Sequence, residues 1–283
     1  MTKQLPVFVT APLLLAAGAW ILWCEWRRPL RPTLAKSKGV HGARNLAVAA
    51  VAGAAVQFAE LPVALPLADL VTERRWGLLG FFGLPAWLEL PLAVLALDYT
   101  LYWWHVATHR VPLLWRFHLP HHADLDMDAS TALRFHFGEI LFSVAWRAAQ
   151  IVVIGVSPLS FSVWQTGLVA AILFHHSNIR FSPETERRLS RFVVTPGMHA
   201  IHHSDVRDET DSNWSSGFSI WDRLHGTYRL DVPQDGITIG VPAYRDPGDV
   251  TLPRVLTMPF GGQRDDWRSP DGTLRLTRGE GDS

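Results

Sequence analysis

Three short stretches carry imidazoles at spacings suited to a shared metal site: His105-Val-Ala-Thr-His109, His118-Leu-Pro-His121-His122 and His199-Ala-Ile-His202-His203. Residues at i, i+3 and i+4 of a helix share one face, so each stretch presents its histidines together. Neutral imidazoles converging from several helices suit Fe, Zn, Cu or Ni, whereas Mg or Ca would favour oxygen ligands. A lone HxxxH is usually two histidines on a helix surface. HxxHH is a rarer pattern for a chain with 13 histidines in 283 residues, and it occurs twice. Unliganded imidazoles in such numbers would need other partners, or repel one another on protonation. His175-His176 adds a fourth group, while His41 reads as a loop histidine and His225 as a structural one.

The histidine groups sit at the ends of apolar runs. Leu5 to Cys24 is free of charge and long enough to cross a hydrocarbon layer. It exceeds a signal h-region, and the following "CEWRRPLRP" lacks a small-residue cleavage site, so it reads as a retained anchor. A second apolar stretch, Asn45 to Ala68, is interrupted by Glu60, Pro62 and Pro66. The glycine-containing run Trp76–Leu88 is expected to dip into a membrane or lie on its surface. Leu90–Trp104, with Asp98 its one charge, reads as a spanning helix leading into His105. Ile140–Phe174 reads as a helical hairpin turned at Ser157-Pro158, because a residue before proline avoids the α region.

These runs predict an all-α fold: an integral-membrane helical bundle of about four or five transmembrane helices with a cytosolic helical cap carrying the histidine boxes. Arg27, Arg28, Arg31, Lys36, Lys38 and Arg44 crowd the first loop, which places that loop in the cytoplasm. Threading onward brings every histidine box to the same side. A soluble all-α protein is the alternative. The expected division is 1–89 for N-terminal membrane helices and an interfacial segment, 90–230 for a catalytic domain, and 231–283 for a polar tail. The early tail is expected to pack on the catalytic region and its last dozen residues to be disordered. Trp23, Trp26, Trp103, Trp104 and Trp115 flank apolar ends and read as an interfacial belt.

Composition excludes other classes. Lys and Arg total 26 against 26 for Asp and Glu, so nothing in the charge argues for nucleic acid. The single cysteine, Cys24, precludes an intramolecular disulfide framework or a CxxC zinc site.

"HVATH", "HLPHH" and "HAIHH" resemble the boxes of the fatty acid hydroxylase / sterol desaturase superfamily. The resemblance runs from about Leu90 to Tyr228 and takes in "HHSN", "TPGMHAIHHS", "DSNW" and "SIWDRLHGTY". It implies a membrane oxidoreductase with a histidine-ligated non-heme di-iron centre. Such a centre activates O2 for attack on a C–H bond of a sterol-like, fatty acyl or ether lipid, giving hydroxylation or desaturation. It carries over as metal ligands His105, His109, His118, His121, His122, His199, His202 and His203, with His176 as a ninth. His175 is a rival to His176, and His136 a ligand or, alternatively, a hydrogen-bonded helix-start residue. The implied cofactors are two iron ions with O2 as co-substrate, although isolated members can carry zinc. No cytochrome b5-like segment precedes the membrane region, so a separate donor is expected: a cytochrome b5-like protein, a ferredoxin or another reductant.

Asp98 lies two turns before His105 on the same face, and a carboxylate inside an apolar helix is costly without a partner. It is expected to accept the outer N–H of a ligating imidazole; a salt bridge or a helix-packing hydrogen bond is the alternative. Asp205, Asp211, Asn213 and Asp222 stand equally for orienting box histidines or for capping loops. Two other functions compete with the oxygenase. A zinc-dependent membrane hydrolase lacks its usual general base, since no glutamate stands between the histidines of the first box. A non-catalytic metal-binding membrane protein would be expected to place ligands within spanning helices rather than beyond their ends.

Overall fold

The computed structural model describes residues 4–34 and 38–278, which places Lys36 and the tail residues beyond 278 outside the described residues. Among the described residues there is no extended sheet, only isolated bridges between helices and loops. Helix α1 (Val7–Arg27) is almost wholly apolar and turns Phe8 and Leu15 outward, 79% and 74% exposed. Apolar side chains bared in such a row face lipid.

Helix α2 (Lys38–Ala55) passes through a π-helical segment, Val56–Glu60, straight into α3 (Leu61–Arg74). The sequence suggested an interruption here. A proline ring presses on the carbonyl four residues earlier, which for Pro62 is Phe58, inside the π segment. The widened turn absorbs that conflict, so the helix continues. Helix α3 ends on Arg75 in the left-handed region (φ 54°), and α4 (Gly77–Phe82) carries exposed Phe81 and Phe82.

Helix α5 (Ala86–Arg110) leads into α6 (Pro112–His122), and α7 (Phe137–Ile154) and α8 (Pro158–His176) form the hairpin. Pro158 begins α8 instead of breaking a helix, with Ser157 capping the N–H of Ser160 at 3.2 Å. A Cβ on Gly77 would lie 2.3 Å from the Gly155 nitrogen, so glycine is needed where the start of α4 meets the end of α7. Among the described residues, four helical stretches are long and apolar enough to cross a membrane: Val7–Arg27, Lys38–Phe82, Phe137–Ile154 and Pro158–His176. Helix α5 is not among them, because Asp98, Tyr99, Tyr102 and His105 dilute its apolar run. It packs on α7 and α8 on one side and leaves Trp87, Leu92, Leu95 and Trp103 exposed on the other.

Two contacts fix the sense of the bundle. The Leu5 N–H donates to Ser162 Oγ (2.8 Å) near the start of α8, while Glu25 accepts from Asn178 N–H (2.6 Å) just beyond its end. Helices α1 and α8 therefore run parallel. The C-termini of α1, α5 and α8 and the N-termini of α2 and α7 share one end of the bundle, where the histidines lie. Over that end pack α9 (Pro183–Leu189), α10 (Pro196–His202), α11 (Arg207–Thr210), α12 (Ile220–His225) and α13 (Leu252–Thr257). The C-terminal segment joins this cap: Val232, Ile237 and Ile239 pack on Met127, Ala200 and Ile201. Part of the last dozen residues is also held, contrary to the expectation of disorder. Arg278 forms an ion pair with fully buried Glu209 at 2.7 Å, and Arg275 accepts from the Arg207 N–H at 2.9 Å.

Candidate metal centre

The site is built by helix ends. Helix α5 delivers His105 and His109 in its last two turns, and Pro112 then starts α6, whose C-terminal half holds His118, His121 and His122. Helix α8 ends on His175 and His176. Thr195 caps α10, Pro196 occupies its first turn, and the helix presents His199 and His202, with His203 as its C-cap.

Nine imidazoles converge in two groups. His105, His109, His118, His122 and His202 form one, and His121, His176, His199 and His203 the other; within each, the ligand atoms lie within 4.8 Å of one another. The two HxxHH stretches divide in complementary fashion. In α6 the i, i+4 pair His118/His122 serves the first group and His121 the second. In α10 His202 serves the first, and the i, i+4 pair His199/His203 the second.

Nδ1–H donation fixes several rings. His105 donates to the Trp214 carbonyl (2.7 Å), His202 to that of Ser212 (2.8 Å), His176 to that of Ile172 (2.8 Å), and His118 to Glu139 Oε2 (3.0 Å). Each bond selects the tautomer whose Nε2 lone pair faces inward. Nε2 atoms then meet nose to nose: His105 and His202 at 3.1 Å, His121 and His176 at 3.1 Å, His176 and His199 at 3.0 Å. Where both Nδ1 atoms are already donors, the facing lone pairs repel unless a cation or proton lies between them. The buried Nε2 atoms of His109, His118 and His122 and both ring nitrogens of His203 have no hydrogen-bond partner. Buried polar atoms are normally satisfied, so this set fits metal ions as the missing partners.

Electrostatics agrees. Burial, and then neighbouring imidazoles, hold His121, His122, His199, His202 and His203 well below the ordinary histidine range. The neighbour that acts most strongly is His203 for His121 and His122, His175 for His199, His105 for His202, and His176 for His203. They are therefore neutral at physiological pH, the form that ligates.

The remaining candidates lie outside both groups. The His175 ring centroid is 4.0 Å from that of His199. His136 caps α7: its Nδ1 accepts from the Gly138 N–H (3.0 Å), and its Nε2 donates to the Leu256 carbonyl (3.1 Å), so both nitrogens are engaged. Asp98 accepts from the Phe218 N–H (3.0 Å) and Trp221 Nε1–H (2.7 Å), not from an imidazole. Asp222 accepts from the N–H groups of Trp214 (2.7 Å) and Ser215 (3.1 Å). These two carboxylates tie down the 212–222 segment, whose carbonyls seat His105 and His202. Trp115 belongs to the site rather than to a membrane belt: its ring lies 4.8 Å from His109, and its Nε1 donates to Asp266 (2.8 Å). His225 stacks on Tyr102 (5.0 Å), apart from both groups. Sequence reasoning missed Glu139; its one signal was its position three residues after His136, in the first turn of α7.

A cavity of about 400 Å³ opens onto the histidines. His105, His118, His121, His176 and His199 line one end, and it runs between α2, α5, α7 and α8 past Leu101, Leu168 and Val169.

Residues 90–227 match the family model described as fatty acid hydroxylase. Ornithine lipid hydroxylase OlsE of Rhizobium tropici is 31% identical over 160 residues, 56% of this chain and 46% of that protein. Alkylglycerol monooxygenase of Xenopus tropicalis is 32% identical over 138 residues, 48% of this chain and 30% of that protein. Cholesterol 25-hydroxylase of Mus musculus is 28% identical over 141 residues, 49% of this chain and 46% of that protein. The chain thus spans less than half the length of these relatives. No solved structure matches it significantly. A helical bundle with membrane-length apolar helices and a histidine-rich end defines an integral membrane protein. Through residues 90–227 the chain is similar to the fatty acid hydroxylase family.

Proposed function

We propose that the protein is a membrane-bound, O2-dependent oxidoreductase that hydroxylates or desaturates a lipid through two iron ions. His105, His109, His118, His122 and His202 would hold one ion and His121, His176, His199 and His203 the other, with His175 against the second set. The observation that carries this reading is the opening of both histidine groups onto an apolar cavity between membrane helices. The relatives' names, which refer to ornithine lipid, alkylglycerol and cholesterol, support a lipid substrate of sterol-like, fatty acyl or ether type.

When bound, the irons supply O2 activation: in hydroxylation one oxygen atom enters a C–H bond and the other leaves as water, using two external electrons and two protons. The chain's own residues do the rest. The carbonyls of Trp214, Ser212 and Ile172, together with Glu139, keep Nδ1 protons outward so that Nε2 faces the ions. Leu101, Leu168, Val169 and Ile172 exclude water and align the lipid beside the histidines. Electrons come from a separate donor of cytochrome b5-like or ferredoxin type. The histidine end also carries Arg27, Arg28, Lys38 and Arg44, which supports a cytoplasmic placement. Zinc in isolated protein would be adventitious in this reading. A zinc hydrolase is less favoured, since neither group contains a carboxylate and Glu139 is engaged by His118.

The test combines metal analysis with reductant-dependent O2 uptake and a comparison of lipid extracts from cells carrying wild-type or His118→Ala protein. Two irons per chain and a lipid changed by one oxygen or two hydrogens are expected. Tightly held zinc alone, with no lipid product, would overturn the reading.

A further inference from the structure

The cavity that opens onto the histidines has a second, polar end. Trp164 lies in α8 some three turns before His175 and His176, which separates the two ends by about 17 Å along the helix. There Arg147 of α7 pairs with Glu60 of the π segment, Nε to Oε1 at 3.4 Å, and its guanidinium also donates to Gln150. The same guanidinium lies 4.4 Å over the Trp164 ring. Glu60, Arg147 and Trp164 all line the cavity. The ion pair is neutral as a unit and already bonded. Trp164 is different: it is 3% exposed, and its indole Nε1–H has no acceptor. A buried indole N–H left without an acceptor is costly.

We propose that this end is a subsite for an uncharged oxygen (a hydroxyl, ether or carbonyl) of an elongated lipid, with Trp164 Nε1–H donating to it. The C–H bond offered to the histidines then lies about 17 Å from that oxygen, as the α8 rise dictates. The assignment of the histidine end as the reacting end rests on the hydroxylase reading. A carboxylate or phosphate at the subsite would add a net negative charge to a pair already balanced in a low-dielectric interior, so charged headgroups are rejected. The wall between the two ends is mainly apolar and suits a chain or ring system with few further polar groups.

Equilibrium binding of three labelled probes of equal chain length tests this on the full, metal-loaded chain in detergent: hexadecanol, hexadecane and ionised palmitate. Hexadecanol should bind the wild type about tenfold more tightly than hexadecane, the effect of one satisfied buried donor, and palmitate should bind more weakly than hexadecanol. Trp164→Phe should erase the preference for the alcohol and leave hexadecane affinity unchanged, which separates a lost hydrogen bond from lost packing. Equal binding of alcohol and alkane by the wild type, or a preference for palmitate, would overturn the subsite. So would an equal effect of Trp164→Phe on alcohol and alkane. Binding is read without turnover, so an alcohol preference in a protein that oxidises no lipid would count against the hydroxylase reading alone.

Discussion

His105 and His202 meet Nε2 to Nε2 at 3.1 Å across 97 residues of sequence, and each gives its Nδ1 proton to a carbonyl of one short segment, Trp214 and Ser212. The segment acts as a template that sets two ligands of the first group from behind. The second group has no such template. His176 is instead held by its own helix, through the Ile172 carbonyl one turn earlier.

This asymmetry gives a first prediction about the two groups. His109→Ala removes a member of the five-histidine set and His199→Ala one of the four-histidine set. Either should abolish turnover and reduce iron from about two toward about one per chain, since an ion missing one imidazole of so few is released more readily. His225→Ala, which loses ring contacts with Tyr99, Tyr102 and Trp103 and none with the metal groups, should keep its metal and most of its activity. Metal analysis beside an O2-uptake assay reads all three. Full activity in either box variant would refute the shared-site model.

Among the described residues, Glu139 is the one carboxylate bonded to a ligand imidazole, His118 Nδ1, at 3.0 Å. Glu139→Gln keeps an acceptor oxygen but removes the negative charge behind the His118 ring. Iron affinity, measured by chelator competition, should fall by about 10-fold to 100-fold, the usual effect of losing such a support. Glu139→Ala should fall further. An unchanged affinity in both would show that His118 is held by packing alone.

Much of the site was legible in sequence because helical periodicity forces i, i+3 and i+4 imidazoles onto one face. The partition was not. Whether His121 joins His118 or His176 depends on how α6 is rotated against α8 and α10, a tertiary quantity that no local spacing contains. The resemblance left His136 either as a ligand or as a hydrogen-bonded helix-start residue, and it is the second: its Nδ1 caps α7. The apolar runs revealed the bundle, but Pro62 and Pro66 read as an interruption because the adjoining π segment has no sequence signature. The tail looked free because the partner of Arg278, Glu209, lies 69 residues away.

Asp98 supports the site from one step back, and its variants should show it. Asp98→Ala leaves the Phe218 N–H and Trp221 Nε1–H without an acceptor, at a cost of about 2–4 kcal/mol. Asp98→Asn retains an oxygen for both donors and should recover most of that loss. Thermal denaturation in detergent gives the stability and chelator competition the metal affinity. Gly217→Ala should resemble Asp98→Ala, since a Cβ there would sit 2.4 Å from Asp98 Oδ1. If Asp98→Asn were as damaging as alanine, the carboxylate would be acting through its charge on the metal centre rather than by holding the 217–221 segment.

Acid should strip the site. His121, His122, His199, His202 and His203 are held well below the ordinary histidine range, first by burial and then by neighbouring imidazoles. The folded state thus binds fewer protons than the unfolded chain, whose histidines titrate near 6.5. Stability from these groups is complete above about pH 6.5 and declines as pH falls below it, with the slope set by the extra protons taken up on unfolding. Bound metal works in the same direction, because protons and metal compete for the same lone pairs. Metal retention and thermal stability should therefore hold on the alkaline side and fall together below about pH 6.5. His202→Gln, with one titrating imidazole fewer, should flatten the acid limb of the metal-free protein's stability curve. A stability that rose on acidification through this window would contradict the burial of neutral imidazoles on which the site depends.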